Sequence, residues 1–206
     1  MPDGDITTRE ALEDHYGQPK GHLSRKELPK LNEHSRHFIA LSPFLVLSTS
    51  AANDGPADAS PRGDAPGFVQ VLDDTTIAIP DRPGNKLAFG LKNILENPQV
   101  GLLFLMPGTP ETLRINGRAE IHAGMEIREK LSARTRPAVV AIRVAVEECF
   151  FHCAKAFKRS ELWKPDTWPD RYRISFGELL APKMGGGPAE AKAIDDMVEQ
   201  DYRDGL

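Results

Sequence analysis

Residues 99–123 read QVGLLFLMPGTPETLRINGRAEIHA, and this stretch gives the strongest indication of the fold class. Two runs of apolar and β-branched residues, Gln99–Met106 and Glu111–Ala123, flank a short turn-forming segment at 107–110. Apolar runs of strand length separated by proline and glycine predict a β-hairpin. Gly117 lies inside the second run and predicts a β-bulge, because glycine tolerates close backbone approach. The centre of the chain is therefore expected to be an antiparallel hairpin.

Further strands and helices are predicted on both sides of this hairpin. The predicted strands are Phe44–Ser50, Gly67–Leu72, Thr75–Ile79 and Ala138–Val146. The predicted helices are Ile6–Tyr16, Asn32–Leu41, Leu87–Leu95 and Met125–Arg134, and Cys153–Leu162 is expected to be a helix or a tight turn. Six strands in hairpin order with helices between them favour a mainly β protein with α inserts. We expect an antiparallel barrel rather than a doubly wound parallel sheet.

The charge of the chain is distributed unevenly. The 206 residues include 26 Lys and Arg and 30 Asp and Glu, which gives a net charge of −4. The stretch 189–206 holds six acids and two bases and accounts for that whole net charge. The glycine-rich segment 184–188 precedes it and is expected to be a hinge. We therefore divide the chain into an N-terminal helical extension (1–42), a barrel domain (43–184) and an acidic C-terminal tail (185–206), expected to be helical.

Several classes of protein are disfavoured by the sequence. No apolar run approaches the roughly 18–20 residues that span a bilayer, and the first residues lack the pattern of a secretory signal. Cys149, His152 and Cys153 match no zinc-binding spacing, which favours a pair of buried thiols and no metal site. No motif that reads nucleic acid is present. We expect a cytoplasmic protein without a membrane span.

Two loop-like segments are candidates for chemistry. Segment 58–64 (DASPRGD) is polar although it lies between apolar strands, so it is either a solvated hairpin or part of a site. Segment 80–86 (PDRPGNK) places Arg82, Lys86 and the amides of Gly84 and Asn85 at the start of a helix. Helix N-termini bind anions through free N–H groups and the positive end of the helix dipole. This second segment is therefore either a phosphate-binding loop or a structural one.

A third segment, 150–163 (FFHCAKAFKRSELW), mixes aromatic and basic side chains. From His152 to Arg173 the chain holds six Lys and Arg residues and three acids, so the overall charge conceals a basic region. Aromatic rings next to cations suit a planar anionic ligand. The alternative is a structural interface in which the tryptophans act as packing anchors.

These segments together resemble the pyridoxamine 5′-phosphate oxidase-like flavoproteins, in particular a flavoprotein branch of FMN-binding members. The resemblance covers roughly residues 40–175. The motifs that carry it are 60–64 (SPRGD), 67–69 (GFV), 79–85 (IPDRPGN), 93–104 (NILENPQVGLLF), 111–119 (ETLRINGRA) and 151–156 (FHCAKA). The resemblance implies an FMN-binding split β-barrel that forms a homodimer, with two FMN sites at the subunit interface.

The resemblance also implies which residues bind the cofactor. The phosphate and ribityl candidates are Arg82, Asn85 and Lys86, with Arg62 from the neighbouring strand. Gly63 and Asp81 are also expected to bind the cofactor. The backbone of Ile79 and Pro80 is expected against the isoalloxazine ring, and Glu111 and Thr112 near the flavin. The second subunit is expected to contribute His152, Lys155, Arg159 and Trp163.

The chain also departs from the oxidases of this family. Their Arg-x-x-x-Leu-Lys pattern corresponds here to residues 58–63, their Ser-Arg-Lys triplet to residues 84–86, and their C-terminal Arg-Leu-His motif is absent. Pyridoxamine phosphate is therefore not the expected substrate. We expect an FMN-dependent oxidoreductase acting on an unidentified small-molecule substrate or electron donor. The alternatives are a non-enzymatic flavin- or haem-binding protein, in which His152 would be a haem ligand, a deazaflavin-dependent reductase, and a barrel with a vestigial site.

Overall fold

One sheet of seven strands organises the computed structural model, which describes residues 4–18, 21 and 28–204. The strands are β1 Phe44–Ser50, β2 Ala57–Gly63, β3 Gln70–Val71, β4 Thr76–Pro80, β5 Gln99–Met106, β6 Thr109–His122 and β7 Ala141–His152. The helices are α1 Arg9–Tyr16, α2 Glu33–Leu41, α3 Phe89–Glu96, α4 Met125–Lys130, α5 Lys155–Ser160, α6 Phe176–Leu180 and α7 Pro188–Asp204. Two short 3₁₀ helices cover Pro165–Thr167 and Ala181–Met184.

The strands pair in the order β2-β1-β5-β6-β7-β4-β3, and every pairing is antiparallel. The predicted class, mainly β with helical inserts, is therefore confirmed. The central hairpin is β5–β6, with Phe104 opposite Leu113. The register of β6 against β7 shifts between Asn116 and Gly117, which is the predicted bulge. A Cβ atom at Gly117 would lie 2.0 Å from the carbonyl oxygen of Ala145, so only glycine fits there.

The hydrophobic core lies on one face of this sheet. In β1 and β5 buried residues alternate with more exposed ones, as the two-residue period of a strand requires, whereas β4 is buried at all five positions. Leu47, Phe104 and Ile115 are fully or almost fully buried, and Phe38 and Ile39 of α2 pack into the same cluster. Helix α2 covers part of the core. Its start is fixed by a capping box in which the side chains of Asn32 and Ser35 each accept a hydrogen bond from the other's backbone N–H.

Segment 58–64 contains a strand and is not a solvated hairpin loop. Its residues Asp58 to Gly63 belong to β2, which pairs with β1 along its whole length. Pro61 has no N–H to donate, and β2 tolerates it because this strand is at the end of the sheet order. The polar side chains of Asp58, Ser60 and Arg62 are half-buried at every second position. They therefore share one face of the strand.

Other boundaries differ from the sequence predictions by a few residues. Helix α1 begins at Arg9 because the Thr8 hydroxyl accepts a hydrogen bond from Ala11 N at 3.2 Å. The predicted strand Gly67–Leu72 is reduced to Gln70–Val71. The last long strand begins at Ala141 and continues to His152, since its pairing with β6 extends to Thr112.

The C-terminal helices α6 and α7 pack against each other. A Cβ atom at Gly177 would lie 1.8 Å from the carbonyl oxygen of Ala191, so the helices touch at backbone level. The Asp195 carboxylate accepts hydrogen bonds from Ser175 Oγ at 2.6 Å and from Gly177 N at 2.9 Å. These bonds lower the pKa of Asp195. The preceding glycines form a turn in which Gly186 N bonds the Ala181 carbonyl at 2.8 Å, so this segment is not an open hinge.

Within the ranges that the structure describes, no helix has both the length and the apolar character needed to cross a bilayer.

Candidate functional site

A cleft of about 510 Å³ lies between β2, the loop that follows β4, and the first turn of α3. Residues of β2 that face it are polar, and the loop contributes charged side chains. The lining residues include Asp58, Ser60, Arg62, Asp81, Arg82, Asn85, Lys86, Phe89 and Gly90. The cleft is therefore a polar site at the start of a helix.

The start of α3 leaves backbone donors available on this cleft. The residue before the helix, Ala88, has a left-handed backbone with φ of 53°, and among the described residues no side chain caps the helix. A Cβ atom at Gly90 would lie 3.3 Å from Asp58 Oδ2 and 3.6 Å from Ser60 Oγ. The first turn of α3 therefore comes close to β2. Uncapped N–H groups and the positive end of the helix dipole attract anions.

Two buried polar atoms on this face of β2 have no partner. In the described part of the chain, Ser60 Oγ and Arg62 Nε are the buried side-chain nitrogen or oxygen atoms without a hydrogen bond. Leaving such a group unsatisfied costs about 1–3 kcal/mol. Both atoms can donate, and their residues line the same cleft. An oxyanion held there would accept from both, so the residues present fit a phosphate group.

Two reciprocal ion pairs close one side of the cleft. Arg62 Nη1 donates to Asp81 Oδ1 at 2.6 Å, and Arg82 Nε donates to Asp64 Oδ2 at 2.9 Å. Arg82 Nη1 also donates to the Leu131 carbonyl at 2.8 Å. The pairs join β2 and its end to the loop after β4, although β2 and β4 are first and sixth in the sheet order.

The electrostatics of Asp81 reflect its burial. Desolvation raises the pKa of the Asp81 carboxyl, and the nearby guanidinium groups of Arg62 and Arg82 oppose this effect. The side chains of Arg62 and Asp81 are 19% and 14% exposed, so their attraction is only partly screened by water. This pair is a built part of the cleft wall rather than a surface contact.

The structure brings five of the predicted cofactor-binding residues together. Arg62, Asp81, Arg82, Asn85 and Lys86 all line the cleft. Within the loop, the backbone of Lys86 is left-handed, with φ of 61°, and the Asn85 side chain accepts a hydrogen bond from the backbone N–H two residues on, at 3.0 Å.

The remaining predicted residues on this side of the molecule lie next to the cleft. Gly63 ends β2 and lines an adjoining cleft. Ile79 and Pro80 are the last two residues of β4, and both are buried. They lead directly into Asp81, whose backbone N–H donates to the Val140 carbonyl at 2.9 Å.

The other predicted residues form a second group. Thr112 and His152 face each other across β6 and β7, and both line a second cleft of about 440 Å³ together with Arg114 and Phe157. The two clefts share no lining residue. A single chain therefore does not bring the two groups of predicted residues into one cavity.

Four predicted residues line neither cleft: Glu111, Lys155, Arg159 and Trp163. The Trp163 ring stacks on Phe157 with centroids 5.5 Å apart, and its Nε1 donates to the Thr109 carbonyl at 2.9 Å. Glu111, Lys155 and Arg159 are exposed. Trp163 thus anchors the segment after α5 to the start of β6.

Four residues at the site are not among the individual cofactor-binding residues predicted from the sequence: Asp58, Ser60, Asp64 and Gly90. The signal that could have found the first two is the period-2 repeat of polar residues at 58, 60 and 62, which is typical of a strand with one polar face. Asp64 and Gly90 carry no comparable signal, because their partners are distant in the sequence.

The cysteines do not form the predicted pair of buried thiols. Cys149 is buried within β7, and burial raises the pKa of its thiol. Cys153 is exposed, because it follows the end of that strand. Over the residues described, no three His, Cys, Asp or Glu side chains are grouped so that they could hold a metal ion.

A model of the pyridoxamine 5′-phosphate oxidase family matches residues 31–153, which is more than half of the chain. The chain therefore belongs to the pyridoxamine 5′-phosphate oxidase family. The resemblance seen in the sequence is confirmed by this match. No curated protein matches the chain.

Solved structures with a similar fold include three that represent the range. HupZ of Group A Streptococcus is 18% identical over 59% of this chain and 93% of its own, with a TM-score of 0.48. A putative pyridoxamine 5′-phosphate oxidase of Lactobacillus delbrueckii is 24% identical over 61% and 98%, with a TM-score of 0.46. An FMN-binding protein of Syntrophomonas wolfei is 12% identical over 57% and 88%, with a TM-score of 0.43.

Proposed function

We propose that this protein is an FMN-binding flavoprotein that acts as an FMN-dependent oxidoreductase and works as a homodimer. The observation that carries the proposal is the pair of unpartnered donors, Ser60 Oγ and Arg62 Nε, beside the uncapped start of α3. Family membership supports a flavin as the ligand. The cytoplasmic location expected from the sequence stays a prediction.

The phosphate of FMN would bind in the cleft. Ser60 and Arg62 would donate from β2, and the first N–H groups of α3 would donate from the opposite side. Asn85 and Lys86 lie on the loop between them, and within the described chain Lys86 forms no ion pair. Lys86 would therefore supply positive charge that is not already neutralised. Gly63, at the end of β2, lines the adjoining cleft, and its backbone would lie near the ribityl chain.

The flavin ring would supply hydride or electron transfer to a small-molecule substrate or electron donor, and the protein would orient the ring and set its surroundings. Ile79 and Pro80 lead from the core into the phosphate loop, so their backbone is our candidate for the ring side of the site. Buried residues with fixed backbone suit this role because they move little when a ligand binds.

A second copy of the chain would complete the site. The sheet face opposite the core presents the half-exposed apolar residues Val46 and Leu103 on neighbouring strands, with the exposed Arg114 opposite Leu103 on the next strand. Phe150 continues this row, and the Arg114 guanidinium lies 5.1 Å from its ring centroid. Exposed apolar surface of this kind marks interfaces between proteins. We propose that the partner subunit covers this face and that the sheet closes into a split barrel.

The second group of predicted residues would then act across the interface. His152, Thr112 and Trp163 belong to the second cleft or its edge, which lies apart from the phosphate cleft within one chain. We propose that they reach the flavin bound by the other subunit. Lys155 and Arg159, on α5, would bring positive charge near the ring, where charge develops during reduction. Glu111 would lie beside Thr112 at this edge.

The test is the visible spectrum of the purified protein before and after denaturation. We expect a flavin spectrum, or uptake of added FMN by the colourless protein, and release of FMN when the protein is denatured. A haem band would support the haem-binding alternative, and a deazaflavin spectrum the reductase alternative. A colourless protein that takes up no added FMN would overturn the proposal.

A further inference from the structure

The two arginines of the phosphate cleft differ in how their guanidinium groups are used. Arg62 engages one nitrogen with Asp81 and keeps Nε buried without a partner. Arg82 engages two nitrogens within the chain, one with Asp64 and one with the Leu131 carbonyl. Arg62 therefore has a buried donor that no protein group satisfies, whereas two of the three guanidinium nitrogens of Arg82 bond the protein.

We infer that Asp64 and Arg82 are positioning residues of the FMN site, and that Asp81 is the residue that orients Arg62. This inference rests on the proposed function. Arg82 would contribute to FMN binding by holding the loop after β4 in place, and it would not contact the phosphate. This assigns Arg82 a role other than the phosphate ligand predicted from the sequence.

The arrangement of the ion pairs supports this inference. Arg62 and Asp64 lie at the end of β2, while Asp81 and Arg82 are consecutive in the loop after β4. Arg62 of β2 pairs with Asp81 of the loop. In the second pair the charges are reversed, since Asp64 after β2 pairs with Arg82 of the loop. The two pairs together fix the loop in position and orientation, because a single contact would leave it free to rotate.

Arg82 also ties a third segment to this point. Leu131 follows the last residue of α4 and is buried, so its carbonyl is held by the core. A guanidinium can bond two acceptors at fixed angles, which an ammonium cannot do. Arg82 therefore links the end of β2, the phosphate loop and the end of α4 through one side chain.

The same contacts fix the direction of the Arg62 guanidinium. Its bond to Asp81 anchors Nη1, and because the guanidinium is planar and rigid, anchoring one nitrogen restricts where Nε can lie. Ser60 lies two residues earlier on the same face of β2. Loss of Asp81 would leave the charge of Arg62 without its ion-pair partner and its guanidinium without an anchor.

The test compares FMN with riboflavin, which lacks the phosphate. Arg82→Ala and Asp64→Ala should each weaken FMN binding by about ten- to a hundredfold, the effect of losing a charge-assisted hydrogen bond. Riboflavin affinity should change by less than about twofold, because the ring side of the site is untouched. A variant that only loosens the fold would weaken both ligands in parallel, and that outcome would overturn the inference.

Two further variants separate positioning from direct binding. The double variant Asp64→Arg with Arg82→Asp restores the ion pair with its charges exchanged but not the bond to the Leu131 carbonyl, so it should recover part of the FMN preference that Arg82→Ala loses. Arg82→Lys can also keep the pair with Asp64 but not the bond to the Leu131 carbonyl, so its FMN preference should lie between those of the wild type and Arg82→Ala. A direct phosphate ligand would give a different pattern, with Arg82→Lys retaining FMN and the exchanged pair recovering nothing, which would refute the inference.

The matched control is Arg173→Ala, which removes an exposed Arg–carboxylate pair with Glu199 near α6 and α7. It should leave the affinities for both ligands unchanged. If the wild-type protein binds FMN but the exchanged pair recovers nothing, only the positioning inference fails. If the wild-type protein binds neither FMN nor riboflavin, the proposed function fails with it.

Discussion

Gly117 offers the clearest test of how the sheet is built. Its Cα lies against β7 at the bulge, where a Cβ atom would be 2.0 Å from the Ala145 carbonyl oxygen and 3.0 Å from the carbon of that carbonyl. The obstacle is backbone in a paired strand, so it cannot swing aside as a side chain would. Gly117→Ala must therefore displace β6 from β7 at this point.

The size of the effect follows from that displacement. Ordinary van der Waals contact for a Cβ begins near 3.4 Å, so the strands must separate by more than 1 Å locally. Overpacking of this kind costs about 1–3 kcal/mol, and weakened ladder hydrogen bonds add to it. For a protein of this size the expected fall in Tm is about 4–10 °C. Urea unfolding followed by circular dichroism measures the free energy directly.

The matched control is Gly124→Ala. No atom lies within 4 Å of a Cβ built at Gly124, and its φ is −60°, which alanine adopts readily. This variant should be neutral or more stable by about 0.4–1 kcal/mol, because alanine restricts the unfolded chain. If the free energy of unfolding of Gly117→Ala is within about 0.5 kcal/mol of the wild-type value, β6 and β7 do not approach each other as closely at Gly117 as the structure shows.

Three more predictions follow from the same structure. Phe104→Ala should lower the free energy of unfolding by about 3–5 kcal/mol in urea titrations, because Phe104 is fully buried in the core. Lowering the pH should loosen α6 from α7, because the folded protein lowers the pKa of Asp195 from 3.8. The ionised Asp195 carboxylate stabilises the fold above pH 3.8, and this stabilisation is lost as the pH falls through the lower folded-state pKa. Proteolysis of the C-terminal helices should therefore accelerate in acid, and Asp195→Asn should be cut quickly at neutral pH as well. In the native protein one thiol should react rapidly with Ellman's reagent, and Cys153→Ser should abolish that fast phase, because Cys149 is buried with a raised pKa.

The sequence predicts the centre of the sheet well, because local patterns specify it. Gln99–Met106 matches β5 residue for residue, and the bulge at Gly117 is where a glycine interrupts a strand in which apolar and polar residues alternate. Strand β2 was harder to predict. Its polar residues and Pro61 resemble a loop, and the cause of their polarity is a cleft formed with α3, which is about 30 residues away in the chain.

The site was predictable in composition but not in geometry. The motif at 80–86 identifies most residues of the phosphate cleft, because a basic loop before a helix is a local feature. The partners of Arg62 and Arg82 are 19 and 18 residues away, and no local pattern indicates that these pairs form. The separation of His152 from the phosphate cleft depends on the sheet order, which sequence periodicity does not encode.

The assignment of this cleft as the phosphate site is tested by the affinity for FMN relative to riboflavin. This ratio is measured by titration in the wild type and in the double variant Ser60→Ala, Arg62→Ala. Arg118→Ala removes an exposed arginine of β6 that lines neither cleft, and it serves as the control. The phosphate contacts should make the wild type prefer FMN by about a hundredfold or more. We predict that the double variant loses most of this preference while Arg118→Ala keeps it. A wild-type protein that binds both flavins equally, or a double variant that retains the full preference for FMN, would contradict the assignment of this cleft as the phosphate site.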